Sequence, residues 1–152
     1  MKIGVVGVGS LGFHHARILR SLEDADLIGI HDASPARLAE VASTLGVTPF
    51  TELGDLLDRV DAVVIAVPTT SHEAVALEAI RRGVHVMIEK PIAPTLEAAD
   101  RILDAAATAG VLVQIGHVER FNGALRACEP YLDTPLFVEC HRLAPFGVRG
   151  TD

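Results

Sequence analysis

The sequence predicts a doubly wound parallel α/β sheet, and three observations carry that prediction. Short apolar runs alternate with longer segments of helical period, the core must be almost purely aliphatic, and a glycine-rich turn joins the first apolar run to the first helical segment. Such alternation marks strands buried on both faces beneath crossover helices. Hydrophobic residues make up 49% of the 152-residue chain, aromatic residues only 4%, and tryptophan is absent. Val, Ile, Leu and Ala must therefore fill the interior, and a chain of this length buries enough surface for one domain-sized core.

About six strands can be placed in order: residues 2–8 (KIGVVGV), 26–32 (DLIGIHD), a short 48–50 (TPF), 61–67 (DAVVIAV), 85–89 (HVMIE) and 112–118 (LVQIGHV). Helices are expected between them at Leu11–Leu22, Pro35–Leu45, Glu52–Leu57, Ser71–Arg82 and Leu96–Ala109. Ser34 before Pro35 and Thr95 before Leu96 supply side-chain caps, while Gly46 and Gly83 supply left-handed stops. Right-handed crossovers of this length give the strand order 3-2-1-4-5-6. The pattern breaks near residue 120. A helix over Gly123–Leu132, strand character in PLFVECHR (135–142) and the polar, glycine-containing stretch from Leu143 follow. The expected division is therefore a nucleotide-binding domain over 1–120 and, over 121–152, a connecting helix and first strand of a second, truncated domain.

A formal net charge of −7 argues against nucleic acid or an anionic membrane surface as the main partner. Cys128 and Cys140 have neither metal-ligand spacing nor the density of a secreted scaffold, which suits inert thiols in a reducing cytoplasm. The amino-terminal apolar run is too short for a secretory or membrane-spanning segment. No metal site is expected: His14 and His15 have no carboxylate or cysteine partner at ligand spacing.

Three stretches carry chemistry, all at carboxyl ends of predicted strands. In GVGSLG, Gly7, Gly9 and Gly12 form GxGxxG between a strand and a helix, with Asp32 closing the next strand twenty residues after Gly12. This is the context required of a Rossmann dinucleotide site. Gly7 permits the tight turn, Gly9 lets the main chain approach a pyrophosphate, and Gly12 allows close packing of helix on strand. Ser10 and Leu11 open the helix whose amides face the phosphates. Asp32 would accept hydrogen bonds from ribose hydroxyls and repel a 2′-phosphate, favouring NAD over NADP, although His31 and Arg37 bring cations nearby that suit a phosphate; capping of the next helix is the other reading of Asp32. In VPTTSHEA, the exit of strand four places Val67, Pro68 and Thr69 beside the switch-point crevice, with His72 a cofactor contact or a packed helix residue; Thr70 and Ser71 serve equally as helix caps. In HVMIEKPIA, strand five ends on Glu89 and Lys90, fixed by Pro91. The proline holds Lys90 extended and aims its ammonium, and Glu89 favours the charged form. Lys90 is a proton-handling candidate or a solvated strand end. Finally GHVERFN places His117, Arg120 and Asn122 at the end of strand six, as substrate contacts or as a hinge.

The glycine fingerprint, the acid of strand two, EKP after strand five and GHVERFN after strand six together resemble the Gfo/Idh/MocA family of NAD(P)-dependent oxidoreductases over essentially the whole chain. Within it, IGHVERFNGALRA is most similar to the nucleotide-sugar dehydrogenases acting on UDP-N-acetylglucosamine at C3. The resemblance implies hydride transfer between NAD and a secondary alcohol of a sugar, nucleotide-sugar or cyclic polyol, with Lys90 catalytic and Glu89, Lys90 and Pro91 beside the cofactor. It implies a homo-oligomer, with a second α/β domain that carries the substrate floor and an Asp-x-x-x-His pair. That pair is missing from these 152 residues, so the alternative is an NAD-binding or assembly module without turnover of its own. An adenosyl-binding methyltransferase-like fold would share the loop and the acid but leaves Lys90–Pro91 unexplained.

Overall fold

A computed structural model describes residues 1–134, 136–141 and 143. Two compact units are present, one spanning Met1–Gly116 and the other beginning at His117. The first unit is a six-stranded parallel sheet in the order β3-β2-β1-β4-β5-β6, as the crossover rule requires. Its strands are β1 (Lys2–Val6), β2 (Asp26–His31), β3 (Pro49–Phe50), β4 (Ala62–Ile65), β5 (His85–Ile88) and β6 (Val113–Ile115). Five helices join them: α1 (Ser10–Leu19), α2 (Pro35–Leu45), α3 (Leu53–Leu57), α4 (Thr69–Arg81) and α5 (Leu96–Ala109).

The pleat divides the aliphatic residues of each central strand between two cores. Val5 belongs to the core shared with Ala16, Ile30, Leu38 and Val41 from β2, α1 and α2, whereas its neighbour Val6 belongs to the core holding Leu56, Ile80 and Ile102 from α3, α4 and α5. In β4, Val63 and Ile65 face the second core and Val64 the first. Continuous apolar runs arise here because neither face of the sheet meets water. Leu56 is completely buried and packs over Gly4 of β1, where an added Cβ would lie 3.0 Å from Leu56 Cδ1.

Helix ends follow local chemistry at most positions. The Ser34 hydroxyl accepts the Arg37 N–H at 3.3 Å and Thr95 Oγ1 accepts the Ala98 N–H at 3.2 Å, and Gly46 and Gly83 take positive φ of 61° and 74°. Helix α4 is an exception to the expected capping. It starts at Thr69, so Thr70 and Ser71 lie inside its first turn and Pro68 occupies the cap position with no side-chain cap bond. Pro68, at φ −55° and ψ 145°, is extended and lies outside the helix, with its ring fixing φ just before the first turn. Between α4 and α5, Arg101 and Glu73 form a two-point pair of 2.5 and 3.1 Å; the hydrogen bonds from Arg101 hold the Glu73 carboxyl below its ordinary range.

The second unit contains a 3₁₀ turn over Val118–Phe121, helix α6 (Gly123–Cys128) and a further 3₁₀ turn over Glu129–Tyr131. The expected helix over Gly123–Leu132 is thus shorter, because Pro130 has no N–H to continue the ladder. Of the strand character expected in 135–142, the described residues 136–141 show none: they are not in a strand, and no partner strand pairs with them among the described residues. Pro135, Arg142 and 144–152 lie outside the described residues.

Leu56→Ala should destabilise the first unit by about 2–5 kcal/mol, the range for emptying a fully buried leucine site. Urea unfolding monitored by circular dichroism measures it, and a change below about 1 kcal/mol would mean that the α3 side of the core collapses onto the void.

Candidate cofactor and active site

In a parallel sheet every strand ends on the same edge, so the topology alone brings the chemical stretches together. Asp32 follows β2, Gly7 follows β1, Val67 follows β4 and Lys90 follows β5, on four neighbouring strands. At ordinary strand spacing these span roughly 14 Å, the reach of an extended dinucleotide rather than a mononucleotide.

The glycine loop meets the demands read from its spacing. Gly7 has φ 80°, a left-handed conformation, and a Cβ there would lie 2.7 Å from the Ala66 carbonyl oxygen. At Gly12 a Cβ would fall 1.7 Å from the Gly7 carbonyl oxygen, so α1 sits against the end of β1 at a distance only glycine permits. Gly9 is different in kind: no atom lies within 4 Å of a Cβ built there. Open space above Gly9, and an α1 amino end that no side chain caps, leave first-turn amides without intrahelical acceptors. That is a cradle for a pyrophosphate, and the residues present fit the group. Ser10 and Leu11 are exposed there.

Asp32 and Arg37 brace this loop from the β2 side. Asp32 Oδ2 accepts the Val8 N–H at 2.7 Å and Oδ1 accepts the Ser34 N–H at 2.8 Å. A carboxylate has about four lone-pair sites, so both oxygens keep capacity for ribose hydroxyls. Arg37 Nε donates to the Val8 carbonyl at 2.8 Å, its Nη2 to the Gly9 carbonyl at 3.4 Å, and its Nη1 pairs with Glu40 at 3.0 Å. Its guanidinium is therefore spent on loop and helix. His31 Nδ1 lies 2.9 Å from the Phe50 carbonyl. Arg37 and one ring nitrogen of His31, the residues that suited a 2′-phosphate in the sequence, are thus hydrogen-bonded within the protein.

On the β4 and β5 side, Val67 is partly buried, Pro68 exposed and Thr69 partly buried in the first turn of α4. His72 is a correction to the expected cofactor contacts. Its ring is 1% exposed, with Nδ1 2.9 Å from the Pro91 carbonyl and Nε2 3.0 Å from the Val67 carbonyl. It ties the two loops of the crevice together from below and offers no nitrogen to a ligand. Lys90 is exposed, the Lys90–Pro91 peptide is cis, and no carboxylate pairs with the ammonium among the described residues. Glu89 does not supply the expected partner charge: it is 8% exposed, with Oε1 2.7 Å from His15 Nε2 and Oε2 accepting the Lys90 N–H at 3.2 Å. His15 is the site residue that the sequence reading missed.

His117, Arg120 and Asn122 belong to the second unit and are exposed. The His117 carbonyl accepts the Arg120 N–H at 3.1 Å. Asn122 caps α6 by accepting the Ala124 N–H at 2.9 Å and donates to Glu119 Oε2 at 2.8 Å. No group of metal-ligating side chains occurs among the described residues, and no helix among them is long and apolar enough to cross a membrane.

Comparison with known proteins agrees with this geometry. The sequence profile of the Gfo/Idh/MocA group, an oxidoreductase family with an NAD-binding Rossmann fold, matches residues 1–117. The chain belongs to this family. It is 39% identical over 153 residues to UDP-N-acetylglucosamine 3-dehydrogenase of Acidithiobacillus ferrooxidans, covering 100% of this chain and 48% of that protein. A solved structure of that enzyme superposes with a TM-score of 0.80 at 38% identity, over 86% of this chain and 43% of the other. Inositol 2-dehydrogenase 4 of Saccharopolyspora erythraea is 36% identical over 127 residues, 80% of this chain and 38% of that protein. This family member thus spans about half the length of the curated relatives it matches or less, the half that carries the cofactor fold.

The two ends of the fingerprint should separate under substitution. Gly9→Ala places its methyl in open space, so its melting temperature should stay within about 2 °C of the parent while NAD affinity falls at least tenfold. Gly12→Ala cannot keep α1 against Gly7 and should melt lower with or without ligand. Differential scanning fluorimetry with an NAD titration reads both; equal NAD affinity in Gly9→Ala and the parent would remove the pyrophosphate from this loop.

Proposed function

We propose that this chain is the cofactor half of an NAD-dependent dehydrogenase that oxidises a secondary alcohol of a sugar, nucleotide-sugar or cyclic polyol, with Lys90 taking the hydroxyl proton. The observation that carries the reading is the Lys90 ammonium, paired with no carboxylate among the described residues, on the same sheet edge as the glycine cradle and Asp32, three strands away from Asp32. NAD, when bound, supplies the two-electron acceptor.

Each residue then has a task. First-turn amides of α1 hold the pyrophosphate, with Gly9 admitting it and Ser10 and Leu11 flanking it. Asp32 takes the ribose hydroxyls of the adenosine half, and its charge disfavours a 2′-phosphate, so NAD is preferred to NADP. Arg37 keeps the loop in shape. Val67, Pro68 and Thr69 form the wall of the crevice beside β4, and Pro91 limits where Lys90 can point. To take the hydroxyl proton Lys90 acts as the neutral amine, so that the proton has a lone pair to move to as the hydride leaves the carbon. His117, Arg120 and Asn122 are proposed substrate contacts. The domain division proposed is a cofactor domain to about residue 120 and the start of a substrate domain beyond it.

The substrate class follows relatives named for UDP-N-acetylglucosamine and inositol oxidation, molecules rich in secondary hydroxyls. A homo-oligomer is part of the reading, supported by exposed Phe121, Tyr131, Phe137 and Leu143 in the second unit. A cytoplasmic location is supported by two free cysteines and no disulfide among the described residues.

The test is NADH formation, followed at 340 nm, by the full-length protein, with UDP-N-acetylglucosamine and myo-inositol as substrates. Turnover with either should fall at least 100-fold in Lys90→Ala at unchanged NAD affinity, as expected for loss of a proton-transfer group. Turnover that survives Lys90→Ala refutes the role of Lys90. NAD binding without turnover on any sugar or polyol would support a binding module instead.

A further inference from the structure

We propose that His15 is a positioning residue for Lys90, acting through Glu89; the inference rests on Lys90 being the proton acceptor. Two oxygens of one carboxylate carry the connection. Glu89 Oε1 lies 2.7 Å from His15 Nε2, and Glu89 Oε2 accepts the Lys90 main-chain N–H at 3.2 Å. His15 comes from the second turn of α1, seventy-four residues away in sequence. The helix whose first turn cradles the cofactor therefore also holds, one turn later, the carboxylate beneath the catalytic lysine.

The surroundings show that this carboxylate is built in. Glu89 is 8% exposed, and a carboxylate at that depth is costly unless paired and hydrogen-bonded. His15 is its side-chain partner among the described residues. On the far side, Gly116 closes over it at the end of β6: a Cβ on Gly116 would lie 3.1 Å from Glu89 Oε2, closer than nearly all real contacts of that kind. Main-chain bonds from the Glu89 N–H to Ile65 O at 2.9 Å and from the Gly116 N–H to Ile88 O at 2.8 Å fix the frame on both sides. Pro91 has no N–H, so the Lys90 amide is the last main-chain donor before the turn, and its acceptor is Oε2 of the carboxylate whose other oxygen, Oε1, is held by His15. Rotation of Glu89 would release the main chain at the base of the Lys90 side chain. Small displacements of a catalytic group cost rate far more than they cost binding.

The experiment uses the full-length protein and the substrate it turns over, with parent, His15→Leu, His15→Gln, Lys90→Ala and the double variant His15→Leu/Lys90→Ala. His15→Leu should lower kcat about 10- to 100-fold with the KM for NAD within about threefold. His15→Gln, whose side-chain amide can donate where Nε2 stood, should recover kcat to within about threefold of the parent. The double variant should be no slower than Lys90→Ala, because a residue acting through Lys90 has nothing left to position. Gly116→Ala presses on the same carboxylate without touching His15 and should show the same loss in kcat at unchanged KM for NAD, which keeps the test alive if His15→Leu melts too low to assay. A His15→Leu rate equal to the parent, a loss seen in KM alone, no rescue by glutamine, or a double variant slower than either single one would each overturn the positioning role while leaving Lys90 catalytic. Parental turnover in Lys90→Ala would instead overturn the role of Lys90, and the positioning role with it.

Discussion

The contact on which the site depends is the approach of Gly12 to the Gly7 carbonyl, where an added Cβ would fall 1.7 Å from the oxygen. It presses the start of α1 against the end of β1 and so fixes where the helix points. Two consequences follow from that one placement. The uncapped amino end of α1 faces the open space above Gly9, and His15, one turn further along, reaches the carboxylate at the end of β5. A wider gap at Gly12 would shift both, so the open amino end of α1 and the His15–Glu89 contact are held by the same packing. Asp32 and Arg37 reinforce it by bonding the amide and carbonyl of Val8 from the β2 side.

Much of this was legible in the sequence because it is local. Strand order follows from crossover handedness, the two cores follow from period-two burial, and each glycine's task follows from its offset from β1 and α1. Asp32 was placed correctly at the end of β2, yet its bond to Val8 joins two strands and could not be read from spacing. What failed was information carried between distant segments. The pairing of His15 with Glu89 spans seventy-four residues, and at the level of sequence His14–His15 was a doublet with no partner. His72 was open between a cofactor contact and a packed helix residue for the same reason: nothing near it in the chain announces that the Val67 and Pro91 carbonyls converge on its ring. Apolar character in 135–142 suggested a strand, but residues 136–141 have no partner among the described residues, and a lone strand has no ladder to join.

Charge is distributed in a way that suits the proposed chemistry. The chain carries a formal −7, but the carboxyl edge of the sheet presents helix-terminal amides, an ammonium at Lys90 and carboxylates that are already bonded. Asp32 is the anion placed where ribose hydroxyls are expected, and Glu89 is turned inward. In the proposed site an anionic pyrophosphate would meet donors at the loop, with the Asp32 carboxylate at the ribose end, an arrangement that would disfavour a 2′-phosphate.

The account's central claim is that Asp32 and the glycine cradle form a site for NAD. Isothermal titration of the protein with NAD⁺ and NADP⁺ in parallel, for the parent and for Asp32→Ala, tests it most directly. NAD⁺ should bind more tightly than NADP⁺ by at least about tenfold, with the preference reduced at least about fivefold in Asp32→Ala. Equal or tighter binding of NADP⁺ by the parent, or a preference unchanged by removing the Asp32 carboxylate, would contradict it.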